Sequence, residues 1–190
     1  ARTMNGELAF EGALQARVAL LRGLPEAIIE QVFKNRITFT SGGAVLVATM
    51  KAHGAHCALV SGGFTGFTAR VATALGFDEP GANRRGGAGG QLDGTVAEPI
   101  LGREAKVAAL DEIAARLAIG RAEMLAVGDG ANDLGMLGAA GMGVALHAKP
   151  NVQAKCDLRV NHGDLTALLY LQGYTVSEFA GGLNGLDHRT

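Results

Sequence analysis

Cysteine is scarce: Cys57 and Cys156 are the only two among 190 residues. They lie far apart and in no ligand-spaced His/Cys cluster. Neither a disulfide framework nor a zinc site is signalled, and the expectation is free, core-packed thiols in a reducing cytoplasm. Charge is scarce too. Lysine and arginine number 17 against 18 acidic residues, a net of −1, so no basic field recruits nucleic acid or an anionic membrane, and affinity for anions has to come from a local site. Long apolar runs are missing as well. The longest, Ala44 to Met50, is far short of the ~20 residues a bilayer span needs. The opening residues do not read as a signal peptide. Disorder is excluded, because 48% of the residues are hydrophobic and can build a core.

Glycine, in contrast, is plentiful: 29 of 190, about twice the usual ~7%. It follows no fixed period, so collagen and repeat folds are excluded. The glycines cluster after apolar runs, at Gly62-Gly63, Gly128-Gly130 and Gly141-Gly143, with another group at Gly86-Gly90. Glycine just past a buried strand marks a sharp turn or a close approach of backbone to a ligand.

The opening stretch reads as a helix, with Phe10, Leu14, Val18 and Leu21 on one face and Gly23 and Pro25 at its end. A second helix spans about Glu26 to Lys34, and Ser41-Gly42-Gly43 starts a third. Strand and helix then alternate. Cys57 to Val60 and Met124 to Val127 are short continuous apolar runs, the pattern of strands buried on both faces. Gly143 to Leu146 is a third strand and Leu158 to Val160 a fourth. A weak strand falls in Phe77 to Ala82, and Gln91 to Val96 reads as half of a hairpin whose turn is the basic run Arg84 to Gly90, expected to be a flexible, solvated loop. Helices fit 65–75, 104–117, 133–140 and 165–171. This alternation predicts a doubly wound parallel α/β sheet, which binds ligands at the carboxyl ends of its strands, where the glycine clusters fall.

The sharpest local feature is Gly128-Asp129-Gly130-Ala131-Asn132-Asp133. Its two carboxylates straddle the change from strand end to helix start. Asp129 at a strand tip suits a hard cation such as Mg²⁺, Asp133 can orient a neighbouring cation, and Asn132 can cap the helix or bond an oxyanion. An ordinary Asx turn before an N-cap has the same letters. Ser61-Gly62-Gly63 can cradle a phosphate with its hydroxyl and backbone N–H groups, or Ser61 can simply cap a helix. Lys106, in the first turn of a helix, sits at the unfavourable end for a cation, and gains interest only if a phosphate lies nearby. Arg17 falls on the apolar face of the first helix, either snorkelling to solvent or reading a carboxylate through its bidentate fork. His53, His56, His147, His162 and His188 show no ligand spacing.

In this order, Ser61-Gly62-Gly63-Phe64, Lys106 and Gly128-Asp129-Gly130-Ala131-Asn132-Asp133 resemble the second, third and fourth motifs of the haloacid dehalogenase-like phosphatases, and within them the phosphoserine phosphatase branch. His147-Ala148-Lys149-Pro150 and Asn161-His162-Gly163-Asp164-Leu165 are similar to that branch as well. The resemblance runs from about Met4 to Leu171. It implies a Rossmann-like core over residues 41–175, part of a small helical cap over 1–40, and a tail over 176–190. It implies Mg²⁺ as cofactor, bound by Asp129, and a phosphate held by Ser61, Gly62, Lys106 and Asn132, with Asp133 supporting metal and lysine. Met4, Phe10 and Arg17 match substrate-pocket positions, with Arg17 on the serine carboxylate. The implied partner is a small molecule, O-phosphoserine, with no nucleic acid or membrane and with a homodimer left open.

One departure is large. The family opens with an apolar strand ending in D-x-D-x-T, whose first Asp is the nucleophile, and no D-x-D occurs in this sequence. The resemblance thus implies that the central first strand and its nucleophile lie upstream of these residues. The alternatives are a relative acting on another small phosphate ester or transferring the phosphoryl group, and a phosphate-binding protein that has lost its nucleophile.

Overall fold

A computed structural model describes residues 2–83, 85–88, 90–97, 100 and 102–181. The chain falls into two compact units. One comprises Ala1–Thr38, Ala58–Ala74 and Glu79–Gly102, and the other Phe39–Cys57, Leu75–Asp78 and Arg103–Thr190.

In the first unit, helix α1 (Arg2–Ala19) and helix α2 (Ile28–Arg36) precede the apolar strand β1 (Ala58–Phe64). Helix α4 (Thr65–Leu75) leads to β2 (Glu79–Asn83), which pairs parallel to β1. Val18 of α1 is buried. Arg17, beside it, is exposed, which corrects its expected place on the inward face: one residue is about 100° of helix. Met4 and Phe10 lie within α1, but their side chains are outside the described residues. The run Arg84 to Gly90 is also corrected. Most of it is strand β3 (Arg85–Ala88), antiparallel to β4 (Gln91–Val96). The other edge of β4 is occupied as well: Gly23 and Glu26 donate backbone N–H bonds to Leu92 and Gly90, and Leu92 returns one to Leu24. The hairpin thus joins the link between α1 and α2, where Pro25, lacking an N–H, is tolerated at an edge. Arg70 of α4 donates to Glu30 of α2 at 2.7 Å.

The second unit is a three-stranded parallel sheet in the order β5 (Leu125–Gly128), β6 (Met142–Leu146), β7 (Leu158–Val160). Helices α3 (Gly43–Ala52), α5 (Arg103–Leu117), α6 (Leu134–Ala139), α7 (Pro150–Gln153) and α8 (Ala167–Leu171) complete it. β6 is the central strand, and its Val144 and Ala145 are wholly buried. Val144 packs with Val160 and Leu168, and Ala145 with Ala126, Leu137, Ala148 and Val152. Ser41 does not cap α3. Gly42 takes the cap position with φ +78°, a left-handed conformation natural to glycine, and the Ser41 hydroxyl is used elsewhere. Among the described residues no helix is long and apolar enough to cross a membrane.

Candidate active site

The strand β5 ends in a turn built around one buried carboxylate. Asp133 is 3% exposed. Its Oδ2 accepts N–H bonds from Gly130 at 3.0 Å and Asp129 at 3.2 Å, and its Oδ1 meets Lys106 Nζ at 2.5 Å. The carboxylate thus folds the chain back on itself and fixes the cation of α5. A Cβ on Gly128 would lie 2.5 Å from the Asp133 Cβ, so only glycine lets Asp133 pack against the strand end. Both partners of the ion pair are nearly sequestered, with side-chain exposures of 11% and 4%. Such a pair is worth most as a positioning device, since loss of either member leaves an uncompensated buried charge. An ammonium has three donors, so Lys106 keeps others for an anion.

Asp129, at the tip of β5, is exposed. Among the described residues its carboxylate makes no hydrogen bond or ion pair, while its carbonyl accepts from the Lys149 N–H at 3.5 Å. Asn132 is exposed in the same turn. The structure therefore brings Lys106, Asp129, Asn132 and Asp133 together. Asp133 heads α6 without capping it, its oxygens being taken by the turn behind it.

Ser61, Gly62 and Gly63 lie within β1, immediately before α4. The β1–β2 register pairs Ser61 with Ala82 and Phe64 with Asn83, so Gly62 and Gly63 form a two-residue bulge. The Gly63 N–H donates to Ser61 Oγ at 3.0 Å. Asn83, 1% exposed, donates from Nδ2 to the Gly62 carbonyl at 3.0 Å.

Two further carboxylates hold loops. Asp164 accepts from the Ser41 hydroxyl at 2.9 Å and from the N–H and hydroxyl of Thr166. Burial alone raises its pKa, but these bonds outweigh burial and hold it below the ordinary range. Asp78 accepts the Cys57 N–H and pairs with Lys51 at 2.8 Å, and these partners lower its pKa too. His147 adopts φ +45°, and its Nε2 lies 2.9 Å from the Gly163 carbonyl, a structural role. His188 lies outside the described residues. Cys57 and Cys156 are free. Asn83 and the Asp164 clamp were not anticipated from the sequence as functional parts: a lone polar residue at a strand end carries no distinguishing spacing.

The haloacid dehalogenase-like hydrolase family model matches residues 3–138. The phosphoserine phosphatase of Streptomyces coelicolor is 42% identical over 178 residues, 94% of this chain and 43% of that protein. That of Haemophilus influenzae is 40% identical over 168 residues, 88% of this chain and 53% of the relative. The chain thus spans about half the length of these curated relatives. A solved phospho-aspartyl intermediate analogue of phosphoserine phosphatase superposes with a TM-score of 0.80 at 38% identity, covering 88% of this chain and 80% of its own.

Proposed function

Because the chain belongs to the haloacid dehalogenase-like hydrolases, we propose that this protein is a Mg²⁺-dependent phosphomonoesterase that hydrolyses O-phosphoserine to serine and inorganic phosphate, as in the last step of serine biosynthesis. The observation that carries the reading is the Asp133 turn, which holds Lys106 in place and leaves the neighbouring Asp129 carboxylate unengaged. The likeness to phosphoserine phosphatases supports phosphoserine as the ester, and the phospho-aspartyl intermediate analogue of one structural neighbour supports covalent catalysis.

The donor set fits magnesium in part. Among the described residues no group of three or more His, Cys, Asp or Glu side chains could hold a metal. Mg²⁺, however, is commonly bound by one or two carboxylates plus waters and substrate phosphate, and Asp129 is a hard-oxygen donor of that kind. When bound, the ion supplies electrostatic stabilisation of the phosphoryl oxygens. Lys106 adds a fixed positive charge that needs no reorganisation during reaction. Ser61, Gly62 and Asn132 donate hydrogen bonds to the phosphate, and Arg17 pairs with the serine carboxylate. Met4 and Phe10, in the cap of residues 1–40, shield the ester from water. The nucleophile is an aspartate lying upstream of these 190 residues. It attacks phosphorus, the serine oxygen leaves, and water hydrolyses the resulting acyl phosphate.

Phosphate release by the intact protein tests this. O-phosphoserine should be hydrolysed only with Mg²⁺, and with a higher kcat/KM than esters lacking the amino-acid carboxylate. Equal rates on sugar phosphates, or full activity in excess chelator, would refute the assignment.

A further inference from the structure

The two-residue bulge in β1 is pinned at both ends of one peptide group. Asn83 holds the carbonyl of Gly62, and Ser61 Oγ holds the N–H of Gly63. These belong to the same planar peptide, whose C=O and N–H point in opposite directions. Fixing the carbonyl toward Asn83 therefore fixes the N–H toward Ser61. Neither glycine has a Cβ to restrict the rotation of that peptide, so the rotation is set from outside the bulge. The Ser61 oxygen accepts the Gly63 N–H, which leaves the hydroxyl proton to be donated elsewhere.

We infer that Asn83 is a positioning residue for anion binding, orienting the Ser61 hydroxyl through the Gly62–Gly63 peptide so that its proton faces an incoming phosphate. The placement of Asn83 favours this over a purely structural part. It stands opposite Phe64, just beyond the bulge, and is 1% exposed. A buried primary amide is costly unless its bonds are made, and an apolar residue would fill that space without the cost. Its Nδ2 donor reaches the carbonyl whose direction governs Ser61.

This inference rests on the phosphate-binding part assigned above to Ser61, and a double-mutant cycle separates the two. The competitive inhibition constant of inorganic phosphate is measured against O-phosphoserine for the intact protein, Ser61→Ala, Asn83→Leu and the double variant, with Tm for each. Leucine keeps the branched shape of asparagine without the donor. Asn83→Ala, measured alongside, serves if leucine does not fold. Asn83 substitution should weaken phosphate inhibition about tenfold in the wild-type background, the scale of a lost hydrogen bond near the upper end of its range, and less than about threefold in the Ser61→Ala background. An equal factor in both backgrounds, or unchanged inhibition with only a lower Tm, overturns the role of Asn83. Unchanged inhibition in Ser61→Ala alone overturns the assignment of Ser61, and with it the cradle.

Discussion

Asp129 and Asp133 stand four residues apart in one turn and have opposite duties. Asp133 is buried and fully engaged, so Asp133→Ala leaves Lys106 without its partner. The expected loss is about 3–5 kcal/mol, on the order of 10 °C in Tm for a chain of this size. Asp129 is exposed, so Asp129→Asn should leave Tm within a degree or two. It should nonetheless lower phosphoserine turnover by about two orders of magnitude, because an amide is a poorer ligand for a hard dication. Thermal melts beside Mg²⁺-titrated activity separate the two, and wild-type Mg²⁺ dependence in Asp129→Asn would reject the metal assignment. Arg17→Ala should raise KM for phosphoserine by roughly 10- to 150-fold, a charge-assisted pair being worth about 1.5–3 kcal/mol. Equal losses on an ester without a carboxylate would make Arg17 a solvated surface residue. The Gly128 to Asp133 run was legible because its packing admits few other letters: Gly128 has to yield to the Asp133 side chain. Arg17 was misplaced because Leu14 and Leu21 outline a face without fixing which edge points inward, and it is Val18 that is buried while Arg17 is exposed.

Elements with strong apolar periodicity were read to within a residue or two, among them α5, β5, β6 and β7. Each carries apolar residues that reach a buried position, such as Leu110 and Ala114 of α5, Val144 and Ala145 of β6, and Val160 of β7. The Gly/Arg-rich strand β3 was read as loop because it lacks such a pattern, and its conformation comes from the neighbouring strand. Gly143 on β6 illustrates packing that composition only hints at. A Cβ there would overlap the Leu137 carbonyl of α6, so the helix rests directly on the strand. Gly143→Ala should therefore cost about 1–3 kcal/mol through overpacking, measurable by urea unfolding, and a neutral result would mean that α6 shifts freely. Between elements, Asp164 ties the start of α3 to the loop before α8. Its folded pKa lies below the ordinary value, so its stabilisation is complete above the unfolded value of about 3.9. That stabilisation is lost as pH falls through the folded value. Asp164→Asn should flatten the acid limb of stability against pH, with no change in the shape of the profile above about 5. An unchanged acid limb would assign the pH dependence to other carboxylates, such as Asp78.

At the scale of the whole chain, the sequence asks for more cover than the described residues provide. The apolar runs leading into β1 and β5 have the composition of strands buried on both faces, yet every residue of β1 is only partly buried and β5 buries Ala126 alone. The comparison is β6, paired on both sides, where Val144 and Ala145 reach zero exposure. Among the described residues β1 pairs only with β2 and β5 only with β6, so each has one edge without a strand partner, and such an edge is a template for another strand. The sequence has a matching gap: on the function proposed above a carboxylate has to attack phosphorus, and no D-x-D pair occurs in these residues. Residues 1–190 expressed alone should therefore release no phosphate from O-phosphoserine above background, even in saturating Mg²⁺, and should bind a dye for exposed apolar surface. On the function proposed above, fusing a segment that ends in an apolar strand with D-x-D-x-T should restore turnover and lower dye binding, since such a strand carries the proposed nucleophile and can pair with an open edge. Vigorous hydrolysis by the 190 residues alone would place the nucleophile among their own aspartates. Restored activity with dye binding unchanged would separate the open edges from the missing carboxylate.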